Sequence, residues 1–403
     1  MKYLIRGKKL VTVSSMGSIQ NGAMLIENGK ISKVDAWDKL RAHSTGIDVL
    51  DYSNYVITPG LVDCHTHLLE FAPASLYPVT PETHFIAGKG ILFQALASGI
   101  TALGEQICGH PLCDFTIADY RKIVKDFPID ISFAATSISV GFEEMAHFTS
   151  VTSSKEVPQS DLTSPSLVRK IAENSDYPGE NVFINATPAN FTPEDVPKAG
   201  EIIYTLNELK EIVNIYHGLG KKIGCHVAGE KGIELALEAG FDVLHHAHGM
   251  TKEQIEYAAI KGIPIVATPM GGTHLRPNSP DEIAELVEKK IPVSISTDAY
   301  LPPYEHVQWL PFKDRSLRGP ESLMLISHPS MQLLKDRFDE NDILALLTYH
   351  PAKLLGKEKQ FGMLAPGMDA NFLAAEGIPG LEMTEIDKIK SVFYKGSKVV
   401  NRD

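Results

Sequence analysis

Residues 59–67, Pro-Gly-Leu-Val-Asp-Cys-His-Thr-His, close an apolar run that begins at Tyr55. Such a run predicts a buried β-strand, and it ends in two histidines, His65 and His67, one residue apart. Successive side chains of a strand point to opposite faces, so these two imidazoles point the same way and can bind one metal ion. Because neutral imidazole binds zinc and its first-row neighbours, the pair predicts a metal site at the end of this strand.

The composition is that of a globular protein and limits its partners. The 403 residues are 43% hydrophobic and 22% charged, and the formal net charge is -12. This charge disfavours nucleic acid and anionic membrane surfaces, which leaves a small-molecule substrate as the expected partner. The sequence has no apolar run of ~18 residues, no signal-peptide core and only four scattered cysteines, so we expect a cytoplasmic protein. The oligomeric state, including a homo-oligomer, stays open.

The strand and helix pattern predicts an α/β protein. From Tyr55 onward, apolar strands alternate with helical patterns, and the strands are expected at 55–63, 100–105, 130–136, 181–187, 222–226, 241–246, 263–268 and 291–297. Eight such units predict a parallel (β/α)₈ TIM barrel. An open doubly wound sheet is the alternative, but no glycine-rich phosphate loop follows an early strand.

The two ends of the chain have a different pattern. Short β-type runs separated by Asn21-Gly22 and Asn28-Gly29 predict hairpins near the N-terminus, and β-type runs return near the C-terminus. We expect residues 1–54 and 359–403 to form a small β-sandwich domain built from both termini, and residues 55–358 to form the barrel. Long connections at 138–165, 187–205 and 299–320 are candidate substrate loops.

Polar residues stand at the ends of three later predicted strands. His226 ends the fifth strand, the run His-His-Ala-His at 245–248 ends the sixth, and Asp298 ends the eighth. Taken singly, His226 could be a buried structural histidine and Asp298 a helix cap. The carboxyl ends of barrel strands meet at one mouth, however, so these residues and the first-strand histidines predict a divalent metal centre. Its ligands suit zinc foremost, with manganese or iron as alternatives.

The chain resembles the amidohydrolase superfamily of metal-dependent hydrolases, nearest in pattern to its prolidase and imidazolonepropionase branch. The resemblance covers nearly the whole length. It is carried by the first-strand motif above and by the segments 226–233, 238–246, 296–299, 350–356 and 362–371.

The resemblance implies a ligand set, residue by residue. His65 and His67 would bind the more buried ion, with Asp298 completing that site. His226 and His246 would bind a second ion. In single-metal members, His226 would instead join the first site and His246 would hold the water.

The resemblance also bears on the number of ions. Two-metal relatives carry a carboxylated lysine or a glutamate that bridges the ions from strand 4 or strand 3, and here Phe183 stands where the lysine belongs. Without a bridging anion, two divalent ions about 3.5–4 Å apart would repel strongly, so we expect one ion rather than two. Glu105, at the end of strand 2, is the nearby carboxylate that could substitute.

The implied reaction is hydrolysis of an amide or cyclic amide bond, with dipeptides among the candidate substrates. Asp298 would carry the proton, and His246 would steady the hydroxide or the developing oxyanion. A deaminase of an amino-substituted heterocycle is the main alternative, although Gly229 stands where family deaminases tend to place a glutamate. A catalytically silent scaffold is disfavoured because all five ligand positions are filled.

Substrate contacts are predicted on two later segments. Strand alternation is expected to turn His245 away from the site, which leaves His248 as a possible substrate contact. The glycine-containing loop after strand 7 leads to His274 and Arg276, and Arg276 could clamp a substrate carboxylate. Glu105 is the fourth candidate at the mouth.

Overall fold

The computed structural model describes residues 2–70, 81–109, 115–150 and 155–402. Its strands are β1 Lys2–Val11, β2 Ser18–Gln20, β3 Gly22–Glu27, β4 Lys30–Ala36, β5 Asp48–Pro59, β6 Leu61–Thr66, β7 Ile100–Ile107, β8 Asp130–Ala135, β9 Ser137–Gly141, β10 Met145–Thr149, β11 Glu156–Val157, β12 Val182–Phe183, β13 Gly224–Ala228, β14 Val243–His248, β15 Ile265–Ala267, β16 Val293–Ile295, β17 Phe372–Ala375, β18 Ile389–Tyr394 and β19 Ser397–Asn401.

Helices alternate with the central strands. They are α1 Trp37–Leu40, α2 Pro81–Ala97, α3 Ile117–Val124, α4 Gln159–Leu162, α5 Pro165–Asn174, α6 Leu206–Gly218, α7 Glu230–Ala239, α8 Lys252–Lys261, α9 Pro280–Glu288, α10 Leu323–Leu334, α11 Glu340–Leu344 and α12 Tyr349–Leu354. The left-handed residues Gly240 and Gly262 end α7 and α8, as their positions predict. Among the helices of the described residues, none has both the length and the apolar character needed to cross a membrane.

Strands from both ends of the chain share one sheet. Its order is β19-β18-β17-β5-β1-β3-β4, and β2 pairs with β1. Asn28 and Gly29 join β3 to β4 with φ angles of 52° and 79°, the positive values that the predicted hairpin turn requires. The strands of the two chain ends therefore belong to one hydrogen-bonded sheet.

The central strands form two further sheets that follow one another along the chain. The first has the order β6-β7-β8, and the second has the order β11-β10-β9-β12-β13-β14-β15-β16. Neighbours are parallel throughout, except for the antiparallel additions β10 and β11. Thr136 alone separates β8 from β9, and the backbone N–H of Asp298, just past β16, donates to the carbonyl of His65 at 3.0 Å. The carboxyl ends of these strands therefore lie together.

The predicted strand 55–63 is divided between two sheets. β5 pairs with β1 and β17 and ends at Pro59, and β6 begins at Leu61. Gly60 lies at the junction, where an added Cβ would stand 2.2 Å from Thr101 Oγ1. A side chain at this position would collide with β7, so glycine allows the chain to pass from one sheet to the other.

The main apolar core lies between the helices and the central strands. Leu209 and Ile212 of α6, Ile223 and Leu244 are nearly or completely buried in it. Side chains of this kind contribute roughly 1.5–3 kcal/mol each when fully buried. Because such cores are close-packed, they hold the strand ends in fixed positions.

Replacing Gly104 should weaken the packing of β6 on β7. An added Cβ would lie 2.3 Å from the backbone oxygen of Cys64, so Gly104→Ala forces the strands apart. We expect a loss of about 1–3 kcal/mol in the free energy of unfolding, measured by urea denaturation.

Gly90→Ala is the matched control, because Gly90 lies in α2 with no atom within 4 Å of an added Cβ. It should stabilise the protein by about 0.5–1 kcal/mol. A Gly104→Ala protein as stable as the unaltered chain would contradict this view of the strand packing.

Candidate metal centre

The predicted ligands come from the carboxyl ends of four strands. His65 and His67 lie at the end of β6, His226 in β13, His246 in β14, and Asp298 just past β16. His67 is the most exposed of the five, with 12% of its side chain accessible, and Asp298 follows with 5%. The centre is therefore shielded from solvent, which strengthens its electrostatic interactions.

Three of these residues form one group of donors. Asp298 Oδ1 lies 3.1 Å from His65 Nε2 and 3.3 Å from His67 Nε2. Their ligand atoms all lie within 4.8 Å of one another, close enough to bind a common ion. The His-x-His pair thus faces the aspartate of the eighth predicted strand.

Glu180 occupies the middle of the site. Its Oε1 lies 3.0 Å from His67 Nε2, and its Oε2 lies 3.1 Å from His226 Nδ1 and 3.3 Å from His246 Nε2. The side chain is 1% exposed. Oε1 thus contacts His67 of the first group, whereas Oε2 contacts the two later histidines and also lies 3.5 Å from His65 Nε2.

The expectation of a single ion depended on the absence of a bridging anion. Glu180 is a carboxylate in the position to be that anion, so the reason for expecting one ion no longer holds. Strand 4 is shorter than predicted, and Glu180 lies two residues before it, whereas the family resemblance places the bridging residue at Phe183. Phe183 instead stacks on the His226 ring with 4.1 Å between centroids. The sequence feature that could have identified Glu180 is its position as a lone carboxylate directly before the predicted apolar strand 181–187.

Left-handed backbone shapes the ends of β14 and β16. His246, Ala247 and Asp298 have φ angles of 68°, 49° and 55°. Such conformations cost about 1–3 kcal/mol each and concentrate at functional sites. They also break the strand alternation, and the prediction that His245 turns away from the site is therefore wrong: its Nδ1 lies 2.8 Å from His65 Nδ1.

Thr268 determines which nitrogen of His246 is free. The Thr268 hydroxyl donates to the carbonyl of Gly271, so at 2.9 Å it accepts from the N–H at His246 Nδ1. This assigns a bare Nε2 that faces Glu180, and burial lowers the pKa of His246 to about 4. The neutral ring can thus bind an ion through Nε2 but has no proton there to offer an oxyanion.

The site carries a strong negative field. Burial alone would raise the pKa values of Glu180 and Asp298, but the surrounding imidazoles lower both well below their usual range. Burial likewise opposes a charge on His65, yet the two carboxylates raise its pKa to about 9. A site with two ionised carboxylates favours a positive charge at its centre.

Unused polar atoms also fit a metal ion. His65 Nε2, His226 Nε2 and Glu180 Oε1 are buried and make no hydrogen bond. Buried polar atoms are nearly always satisfied, and a cation bound between His65 and Glu180, which share a group of possible ligands, would satisfy donors of both. His226 belongs to none of the donor groups found in the described residues, and its Nδ1, not its Nε2, faces Glu180. The donor set of imidazoles and carboxylates is one that zinc and its neighbours accept.

Cys108 is a further possible donor, which its sequence position marks as a reduced thiol and not as a ligand of this centre. It follows β7, is fully buried, and forms a group with His67 and Glu180 whose ligand atoms lie within 4.8 Å of one another. Sulfur is a soft ligand, so its position adds to the preference for zinc.

Two of the predicted substrate residues are enclosed by neighbours. Glu105 accepts from Thr66 Oγ1 and from the backbone N–H of Leu69, both at 2.6 Å, so it fixes the segment after β6. His248 is fully buried, with its Nδ1 3.0 Å from Thr273 Oγ1 and its Nε2 3.3 Å from the Thr268 hydroxyl.

The other two predicted substrate residues lie further out. His274 is half-buried against Gly200, and burial lowers its pKa to about 4. Arg276 is exposed, and its guanidinium carbon lies 4.6 Å from the centroid of the Trp309 ring. Neither belongs to the groups of metal donors found in the described part of the chain.

The loop after β15 packs directly on the centre. Gly272 has a φ of 121°, and a Cβ there would stand 2.3 Å from Asp298 Oδ2 and 2.5 Å from His246 Cε1. Its backbone N–H donates to Asn190 Oδ1 at 2.7 Å. Glycine therefore allows this loop to lie in contact with two of the predicted ligands.

The parallel strands bring imidazoles and carboxylates together at their carboxyl ends, an arrangement that could hold a divalent metal ion. The model of the amidohydrolase family matches residues 56–399, and the chain belongs to the amidohydrolase family. This confirms the predicted superfamily and supports a hydrolase that acts on carbon–nitrogen bonds.

Similar proteins agree with this assignment. The imidazolonepropionase of Shouchella clausii (strain KSM-K16) is 23% identical over 99% of this chain and 92% of its own length. A Xaa-Pro dipeptidase structure with bound methionine matches 99% of both chains at 16% identity and a TM-score of 0.72. A molinate hydrolase structure matches 99% of this chain and 94% of its own at 16% identity and a TM-score of 0.74. The two structures support the α/β fold.

Removing the charge of Glu180 should weaken metal binding. Glu180→Gln keeps the shape of the side chain but loses the anion that contacts His67, His226 and His246. We expect the dissociation constant for zinc to rise by more than the ~10–100-fold typical of indirect ligand contacts. Elemental analysis and titration with a competing chelator measure the effect.

Glu105→Gln is the control, since it alters an equally buried carboxylate that bonds Thr66 and Leu69 instead of the imidazoles. It should keep metal affinity within a few-fold of the original. Unchanged zinc stoichiometry and affinity in Glu180→Gln would exclude Glu180 as a ligand.

Proposed function

We propose that this protein is a metal-dependent amidohydrolase that hydrolyses an amide or cyclic amide bond of a small molecule. The observation that carries the proposal is the meeting of His65, His67, His226 and His246 around Glu180 and Asp298. Structural roles rarely require so many buried titratable groups in one place.

The proposed scaffold is a (β/α)₈ barrel with a satellite domain from the two termini. The parallel strand order and the hydrogen bond from the Asp298 backbone to the His65 carbonyl support closure of the barrel between β16 and β6. In this arrangement the ligands lie at the carboxyl-terminal mouth, where the active sites of such barrels lie.

Zinc is the proposed ion, and the ligands fall into two sets. His65, His67 and Asp298 would hold one ion, His226 and His246 a second, and Glu180 would lie between them. A bound divalent ion supplies a nucleophilic water at neutral pH and polarises the carbonyl that is attacked.

Asp298 is the proposed proton carrier. It stays ionised in the buried site because the neighbouring histidines lower its pKa, so it can accept a proton from the attacking water. The same carboxyl group then delivers that proton to the departing nitrogen, so that the amide and the water become a carboxylic acid and an amine, and the acid afterwards loses its proton to the amine or to solvent. His246 serves as a ligand in this scheme, because its Nδ1 proton is committed to Thr268.

Amide hydrolysis is favoured over deamination. Glu230, the carboxylate nearest in sequence to the position that family deaminases use, is the exposed first residue of α7. One of the similar structures is a Xaa-Pro dipeptidase, a name that describes cleavage of a peptide bond, in line with the proposed bond type.

A substrate screen tests the reaction class. The zinc-reconstituted protein would be assayed with N-acyl amino acids, dipeptides, lactams and amino-heterocycles, with amine and ammonia release measured separately. We expect turnover of at least one amide or lactam and no ammonia from the heterocycles. Ammonia release without amide hydrolysis would instead establish a deaminase.

Asp298→Asn should reduce kcat by about 10²–10⁴-fold, because the amide cannot carry the proton. The fold should be retained, since the backbone N–H of residue 298 still donates to the His65 carbonyl. Activity would be measured at saturating zinc together with metal content and the unfolding midpoint. Near-normal kcat in a fully loaded variant would refute the proton-carrier role.

A further inference from the structure

His245 is a buried histidine that the proposed mechanism does not use. Its Nδ1 lies 2.8 Å from His65 Nδ1, and its Nε2 lies 3.1 Å from the carbonyl oxygen of Pro178. The side chain has no solvent exposure, and its ring centroid is 4.8 Å from that of His65. The residue thus connects a predicted metal ligand to the backbone two residues before Glu180.

The hydrogen bonds assign a proton to each ring. A carbonyl oxygen can only accept, so His245 Nε2 carries a hydrogen and donates to Pro178. In the neutral ring His245 Nδ1 is then an acceptor, and the short contact requires that His65 Nδ1 donates to it. When a metal ion displaces the second proton of this ring, His65 Nε2 is the nitrogen left to bind it, and this atom faces Asp298 Oδ1 at 3.1 Å and Glu180 Oε2 at 3.5 Å.

We propose that His245 is a positioning residue that sets His65 in the tautomer and orientation needed to bind a metal ion through Nε2. Thr268 has the equivalent role for His246, because it takes the proton of the nitrogen that faces away from the centre. Partners of this kind fix ring orientation and raise the basicity of the ligand atom. The inference rests on the proposed metal centre, but it does not depend on which bond the enzyme hydrolyses.

The local packing leaves room for this contact. A Cβ on Gly224 would lie 2.2 Å from the Gly179 carbonyl and 3.0 Å from His245 Nε2, so glycine in β13 makes space for the ring and for the segment that leads to Glu180. Loss of the His245 bonds would therefore loosen two ligands together, His65 directly and Glu180 through the Pro178 backbone.

Two substitutions separate the hydrogen bonds from the volume of the side chain. His245→Leu removes both bonds, and we expect zinc affinity to fall by about 10–100-fold. His245→Gln can accept from His65 through its oxygen and donate to Pro178 through its nitrogen, so its affinity should stay within a few-fold of the original. His350→Leu is the control, because His350 is a half-buried histidine that bonds the carbonyl of Val293 at the amino end of β16, whereas the predicted ligands lie at the carboxyl ends of the strands.

Affinity would be measured with a competing chelator, and thermal unfolding of each metal-free variant would register general damage. His350→Leu should lower the unfolding midpoint without changing zinc affinity. Equal affinity in His245→Leu and the unaltered protein would overturn the proposal. A loss in His245→Gln as large as that in His245→Leu would also overturn it.

Nitrogen–proton correlation spectra of the unaltered protein give a second test that needs no variant to fold. We expect His65 to carry its proton on Nδ1 when zinc is bound, and a bound His65 with the proton on Nε2 would refute the assignment. A protein whose zinc affinity depends on His245 but that hydrolyses none of the screened amides would overturn the proposed function and leave this inference intact.

Discussion

Two buried carboxylates surrounded by imidazoles are the interaction on which the rest of the site depends. Glu180 and Asp298 each contact at least two histidines, and each is shielded from water. Burying a charge is costly unless it is paired, so the folded chain needs positive charge among these side chains. Protons bound to the histidines can supply this positive charge. A metal ion that replaces those protons is attracted by the same two carboxylates.

The strand ends reach this arrangement only by leaving regular geometry. His246 and Ala247 adopt left-handed backbone, which turns His245 toward His65 while His246 faces Glu180. A regular strand would have placed adjacent histidines on opposite faces. The left-handed backbone therefore allows β14 to supply both the predicted ligand His246 and His245, which contacts the predicted ligand His65.

The predictable part of the site is the part that follows strand periodicity. The His-x-His spacing anticipates the shared face of His65 and His67, and Asp298 was identified by its place after an apolar strand. Glu180 could not be found by that rule, because it precedes its strand and reaches the centre along the length of its side chain. The position of His245 relative to His246 depends on the positive φ angles of His246 and Ala247, which hydrophobic periodicity does not predict.

The number of ions follows from a balance of charges. At an effective dielectric constant of about 20, two divalent ions ~4 Å apart repel by roughly 17 kcal/mol. A carboxylate oxygen that carries half of the charge about 2.1 Å from a divalent ion attracts it by roughly 8 kcal/mol on the same scale, so a carboxylate with one oxygen near each ion supplies roughly 16 kcal/mol. Glu180 has its two oxygens directed to different histidines of the site, so its charge alone offsets most of the repulsion. The electrostatic argument against a second ion therefore no longer applies once Glu180 is included.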